Sequence, residues 1–136
     1  MITISPSGKY VLGVDLGIDQ ILCWTMSKND SLNSASFPIV NIASGTGPRH
    51  LVFHPSEKAV YVLNEISSSI DVFRFFSERG YMIWIQSMSM LPTDSDHIHS
   101  DFDPTYLGEI MTDSNTGGEI CVNSKGDPHQ QFWTLS

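Results

Sequence analysis

The sequence predicts an all-β fold, a partial β-propeller built from consecutive antiparallel four-stranded blades. Three observations lead to this prediction. Short apolar runs recur along the chain, turn-forming residues separate them, and one segment of the sequence is repeated. No segment places apolar residues at the helical spacing i, i+3, i+4 and i+7 over several turns, so we expect little helix.

The apolar runs have the length and the residue types of β-strands. Ser, Gly, Pro, Asn and Asp lie between them, and these residues favour turns through positive φ, fixed φ or side-chain hydrogen bonds. Aromatic side chains on the strands, among them Trp24, Phe73 and Trp84, are expected in the core between blades. The predicted strands are residues 10–14, 21–24, 37–42, 50–53, 60–63, 70–75 and 81–85.

An internal repeat groups these strands into blades. Residues 4–12 align with residues 53–61, so that Pro6 recurs as Pro55 and Lys9 as Lys58, an offset of 49. A strand-rich repeat of about 40 to 50 residues is typical of propeller blades. The physical reason is that one small sheet cannot bury both faces alone and must stack on its neighbours.

The repeat predicts one partial propeller domain over residues 1–136. We expect an incomplete blade at 1–35, a blade at 36–90, a long polar loop at 91–117 and the start of a third, truncated blade at 118–136. A closed propeller needs about four or more blades. Because open blade edges pair readily with other chains, self-association is expected.

Composition narrows the functional classes. The net charge of −8 argues against nucleic acid as a partner, because an acidic surface repels phosphate backbones. No run of about 18 apolar residues predicts a membrane span, and residues 1–6 do not resemble a signal peptide. Cys23 and Cys121 lie in apolar runs, and we expect them to be small buried apolar side chains. These features indicate a cytoplasmic protein, and no cofactor motif is present.

Several motifs resemble signatures of the seven-bladed β-propeller lactonase family, which includes bacterial 6-phosphogluconolactonases. The motif SPSGKY at residues 5–10, followed by DLGID at 15–19, is similar to the family's SPDGKY and DLGxD. The motif GPRHLVFHP at 47–55 is similar to GPRHLxFxP, and NEIS at 64–67 to NExS. The resemblance covers residues 2–92 well and 118–126 loosely.

The resemblance implies hydrolysis of a sugar lactone, 6-phosphogluconolactone to 6-phosphogluconate in the pentose phosphate route. It implies Arg49 and Glu65 as catalytic residues and His50 and Asn64 as substrate-binding residues at the mouth of a central channel. The family's site also uses a His upstream of the first motif and an Arg in a later blade, and this chain has no counterpart of either. The alternative is therefore a truncated, non-catalytic propeller fragment that acts only by self-association or binding.

The candidate residues suit lactone chemistry, and each also has a structural interpretation. A carboxylate such as Glu65 can accept a proton from water, and Arg49 can hold an anion or stabilise an oxyanion. Alternatively, the two form a structural ion pair between strands. His50 points to the opposite face of its strand from Arg49, where it lines the channel or is hydrogen-bonded within the blade. His54 is explained by turn chemistry.

The residues that most resemble a metal site are His97 and His99. One residue lies between them, so on a strand both imidazoles would share one face. Asp94, Asp96 or Asp101 could supply a further ligand, but their spacing does not fit an EF-hand. Because the segment reads as a solvated loop, we expect no metal site.

Overall fold

The computed structural model describes residues 1–90, 120–122 and 133–134, and within them it contains ten strands and no helix. No helix in this part of the chain is therefore long and apolar enough to cross a membrane. The strands are β1 (Ile2–Ile4), β2 (Tyr10–Asp15), β3 (Gln20–Met26), β4 (Leu32–Asn41), β5 (Pro48–Phe53), β6 (Ala59–Asn64), β7 (Ser69–Phe76), β8 (Tyr81–Ser89), β9 (Ile120–Cys121) and β10 (Trp133–Thr134).

The strands form two four-stranded antiparallel sheets. Sheet 1 has the order β1-β2-β3-β4, sheet 2 has the order β5-β6-β7-β8, and β9 pairs with β10. This confirms the predicted all-β fold of consecutive four-stranded blades. Each predicted strand from residue 10 to residue 85 coincides with one of β2 to β8, and residue 42 alone lies just beyond the end of its strand, β4. The loop predicted at 91–117 lies outside the described residues.

The border between the sheets differs from the predicted division at residues 35 and 36. Strand β4 runs through this division and pairs with β3, so residues 36–41 belong to sheet 1. Sheet 1 also has a first strand, β1, that was not predicted, and it is a four-stranded sheet rather than an incomplete one. Both differences arise because β1 has only three residues and the first half of β4 is mostly polar and, apart from Ala35, exposed, so neither carries a strong apolar signal.

The 49-residue repeat is visible in the backbone hydrogen bonds. In sheet 1 the amide of Ser5 donates to the carbonyl of Tyr10 at 2.9 Å, and in sheet 2 the amide of His54 donates to that of Ala59 at 2.9 Å. The bond from Met26 to Lys9 likewise recurs as the bond from Phe75 to Lys58. The two sheets are therefore copies of one hairpin arrangement, which is what the sequence repeat predicted.

Two apolar cores lie on the two faces of sheet 2. The larger core fills the space between sheets 1 and 2, and the smaller one lies between sheet 2 and Ile120 of β9. Buried members of the first are Tyr10, Leu12, Val14, Ile21, Cys23, Ala35, Ile42, Leu51, Phe53, Val60, Val62, Phe73, Phe75 and Met82. Those of the second are Tyr61, Leu63, Ile70, Met90 and Ile120.

The three aromatic residues predicted for the inter-blade core have different environments. Phe73 is fully buried between the sheets, as predicted. Trp24 is half-buried, and its ring lies over Gly13 on the face of sheet 1 that points away from sheet 2. The prediction for Trp84 is wrong, since this side chain is 55 % exposed. Its strand β8 is the outermost strand of sheet 2, and a strand at that position has no neighbouring strand to cover it.

Candidate functional site

Four connecting segments meet at one end of the two sheets. They are the β2–β3 turn at residues 16–19, the loop at 42–47, the start of β5 and the β6–β7 turn at 65–68. The first residue of β5, Pro48, pairs with the last residue of β6, Asn64. This register brings the residue after Pro48 and the residue after Asn64 to the same edge of sheet 2.

Those two residues are Arg49 and Glu65, and they form an ion pair. Arg49 Nη1 donates to Glu65 Oε1 at 2.7 Å, and the two side chains are 44 % and 29 % exposed. The structure thus joins the two predicted catalytic residues and also realises the alternative of an ion pair between strands. An ion pair this exposed contributes only about 0–1 kcal/mol to stability, so its fold-stabilising effect is small.

The loop at 42–47 holds the backbone of Glu65. The amide of Glu65 donates to the carbonyl of Gly47 at 2.8 Å, and the amide of Ile66 donates to that of Thr46 at 3.1 Å. Gly47 has a φ of 65°, and a Cβ at this position would lie 2.6 Å from Cγ1 of Ile66. The loop can therefore approach the β6–β7 turn this closely only because residue 47 is a glycine.

The same loop is bound from the other side by Asp19. One carboxylate oxygen accepts the amide of Gly45 and the other accepts the amide of Gly47, both at 2.8 Å. These backbone hydrogen bonds hold the pKa of Asp19 below its ordinary value because they stabilise the charged form, and the bond from Gly45 has the largest effect. Asp19 ends the DLGID motif at 15–19, and no role was predicted for it from the sequence.

Asn64 lies at the end of β6 in a buried polar network. Its Nδ2 donates to Ser69 Oγ at 3.1 Å and to Asp71 Oδ2 at 2.8 Å, and the indole of Trp84 donates to Asp71 Oδ1 at 3.3 Å. The side chain of Asn64 has no exposed surface, whereas the predicted contact with substrate requires some. A local signal for this network exists in the sequence, since the carboxylate of Asp71 lies between the apolar residues Ile70 and Val72.

His50 and His54 each contact another side chain. His50 is half-buried, and its Nδ1 lies 3.0 Å from the sulfur of Met1, the residue before β1. A β-bulge between Pro48 and His50 interrupts the simple alternation of faces that was predicted for Arg49 and His50. The ring of His54 contacts Ser56 within its own turn at 2.7 Å, as turn chemistry predicted, and burial lowers the pKa of His54.

Metal binding has no support among the residues that the structure describes. Within these ranges no group of three or more His, Cys, Asp or Glu side chains is arranged to hold a metal ion. The weak candidates His97 and His99 lie outside them, as do the three aspartates considered with them. The predicted absence of a metal site therefore stays a prediction.

Adjacent antiparallel four-stranded sheets with a polar site at one shared end define a protein of the β-propeller class. Residues 1–127 match the family model described as lactonase, 7-bladed beta-propeller. The chain belongs to this family.

Similarity to individual proteins supports the same assignment. A curated 6-phosphogluconolactonase of Enterobacter sp. (strain 638) is 35 % identical over 91 residues, which are 67 % of this chain and 28 % of that protein. The chain thus spans less than a third of the length of this relative.

Two solved structures share the fold. A putative 6-phosphogluconolactonase from Bacteroides fragilis NCTC 9343 is 26 % identical with a TM-score of 0.64, and the match covers 90 % of this chain and 30 % of that one. The periplasmic gluconolactonase of Pseudomonas aeruginosa has a TM-score of 0.68, with 92 % of this chain and 31 % of that one covered. The latter is 23 % identical, so its likeness concerns the fold alone.

Proposed function

We propose that this chain supplies part of a sugar-lactone hydrolase site, with 6-phosphogluconolactone as the substrate and Arg49 and Glu65 as the catalytic residues. The observation that carries the proposal is the ion pair of these two side chains at the solvent-facing edge of sheet 2. The names of the curated relative and of the Bacteroides structure agree with this substrate class. The reaction would belong to the pentose phosphate route, and we expect a cytoplasmic protein.

The ion pair suits hydrolysis of an anionic lactone. A substrate phosphate or a developing oxyanion competes with Glu65 for the guanidinium of Arg49, which can bind such groups through two parallel hydrogen bonds. The carboxylate of Glu65 is then released to accept a proton from the attacking water. Water oxygen bonds to the lactone carbonyl carbon, the ring C–O bond breaks, and the proton returns to the leaving ring oxygen.

The predicted substrate-binding residues take different parts in this proposal. His50 follows Arg49 and retains partial exposure, so we propose it as a contact for the sugar. Asn64 is fully buried, and its hydrogen bonds to Ser69 and Asp71 support a role in holding the end of β6, from which Glu65 follows.

A lactonase assay on the purified chain tests the proposal. Formation of 6-phosphogluconate from the lactone should exceed the spontaneous rate, and Arg49→Ala and Glu65→Gln should each lower the excess by about 100-fold or more. Matched controls are Arg79→Ala and Glu78→Gln, which make similar charge changes at the β7–β8 turn, the opposite end of sheet 2. Equal rates with and without protein, or equal losses in the controls, would refute the catalytic role.

The alternative, a non-catalytic chain that self-associates, has its own supporting observation. Ile2, Ile4 and Ile39 are 69 %, 55 % and 51 % exposed on sheet 1, and Ile83 to Ile85 are exposed on the outermost strand of sheet 2. Apolar side chains on open strands favour pairing with another chain. In sedimentation experiments the average mass should rise with concentration, and a constant 15.1 kDa species would exclude self-association.

A further inference from the structure

The loop at 42–47 is the element that connects sheet 1 with the Arg49–Glu65 pair. It ends at Gly47, two residues before Arg49, and its carbonyl groups at Thr46 and Gly47 accept hydrogen bonds from the backbone of Ile66 and Glu65. A displacement of this loop would therefore move the start of β5 and the backbone of Glu65 together.

Asp19 is placed to prevent such a displacement. Its two carboxylate oxygens accept the amides of Gly45 and Gly47, and its own carbonyl accepts the amide of Ile42 at 2.9 Å. Both ends of the loop are thus bound to one residue of sheet 1. Gly45 and Gly47 have positive φ and no side chain, so their backbone is intrinsically flexible. The hydrogen bonds to the Asp19 carboxylate restrict it.

Comparison with the second copy of the repeat shows which property of Asp19 belongs to its turn and which belongs to its contact with the loop. Asp19 has a φ of 53°, and its counterpart at the offset of 49, Ser68, has a φ of 48°. The left-handed backbone is therefore a property of the turn in both copies. A carboxylate occurs only in the first copy, next to the loop that leads to Arg49.

We propose that Asp19 is a positioning residue for the Arg49–Glu65 pair, acting through the loop at 42–47; the catalytic part of this inference rests on the proposed function. Its carboxylate contacts neither catalytic side chain in the hydrogen bonds described above. Asp19 fixes the position of the Arg49 and Glu65 side chains. A small displacement of catalytic groups lowers the reaction rate because reacting atoms must be aligned closely.

The test compares Asp19→Ala, Asp19→Asn and the control Asp15→Ala. Asp15 is the last residue of β2, directly before the same turn, and its carboxylate accepts the amide of Gly17 within that turn rather than an amide of the loop. Asparagine keeps one of the two acceptor oxygens, so it should have a smaller effect than alanine. We expect kcat/KM for 6-phosphogluconolactone to fall about tenfold in Asp19→Ala, less in Asp19→Asn, and to stay unchanged in Asp15→Ala.

A second readout is independent of catalysis. In ¹H–¹⁵N spectra, Asp19→Ala should shift the Nε resonance of Arg49 and speed the exchange of the Glu65 amide, and Asp15→Ala should do neither. If the wild-type chain hydrolyses no lactone, the proposed function fails while these spectra still decide the positioning role. Unchanged Arg49 and Glu65 signals in Asp19→Ala, or a lower melting temperature with unchanged kcat/KM, would overturn it.

Discussion

Sheets 1 and 2 are copies of one arrangement, yet their faces have different environments. Sheet 2 lies between two apolar cores, whereas sheet 1 contributes to one core and leaves its other face open within the described part of the chain. Equivalent positions therefore differ in burial, as Trp24 and Phe73 do. The repeat determines the strands and turns, but the neighbouring sheet determines which side chains are buried.

The largest expected effect tests this difference directly. Phe73→Ala should lower the free energy of unfolding by about 3–5 kcal/mol, because it leaves a cavity between the sheets. Trp24→Ala, at the equivalent position on the open face, should cost about 1–2 kcal/mol although it removes a larger ring. Urea denaturation followed by circular dichroism measures both, and equal losses would contradict the contrast between the faces.

A second prediction concerns the covered face of sheet 1 at alkaline pH. Burial raises the pKa of the Cys23 thiol from 9.0 to about 11. Because the folded pKa is raised, the associated stability is present below pH 9 and is lost as the pH rises through about 11. The expected loss is about 2–3 kcal/mol. Burial also raises the pKa of Tyr10, and its contribution is lost above pH 10.

The control for this prediction is Cys23→Ala, which removes the thiol but retains Tyr10. The stability of this variant should fall less steeply between pH 9 and pH 11 than that of the wild type. Identical slopes in the two proteins would show that Cys23 does not titrate with a raised pKa in the core.

The smallest effect concerns a contact between the two sheets. Glu57 occupies the position of Gly8 in the repeat, has a φ of 58°, and accepts the amide and the hydroxyl of Ser7 at 2.7 and 2.8 Å. Glu57→Ala should cost about 2 kcal/mol, since it removes two charge-assisted hydrogen bonds and keeps the left-handed backbone. Glu57→Gly should cost about 1 kcal/mol less, because glycine adopts that backbone without strain.

Thermal and urea denaturation of both variants, with the exposed Glu78→Ala as a control, decide this prediction. The control should stay within about 0.5 kcal/mol of the wild type. If alanine and glycine at residue 57 were equally destabilising, the left-handed backbone of Glu57 would carry no strain.

The candidate site was predictable in part. Arg49 and Glu65 stand in motifs that can be read along the chain, and their pairing was one of two interpretations of those motifs. Asp19 received no role because its partners are backbone amides 26 and 28 residues away, and amides carry no residue-specific signal. A carboxylate among apolar residues marks Asp71, but the motif that contains Asn64 does not reveal that Asn64 is buried against Ser69 and Asp71 across a turn.

The amino-acid sequence by itself determined the strands β2 to β8, the turns between them and the repeat that makes two similar sheets. These features depend on short apolar runs and on turn chemistry, which neighbouring residues along the chain specify. Only the tertiary structure decided that β4 completes sheet 1, that Trp84 is exposed and that Asp19 holds the loop before Arg49. Each of these depends on which strand or loop lies alongside, and such contacts join residues far apart in the sequence.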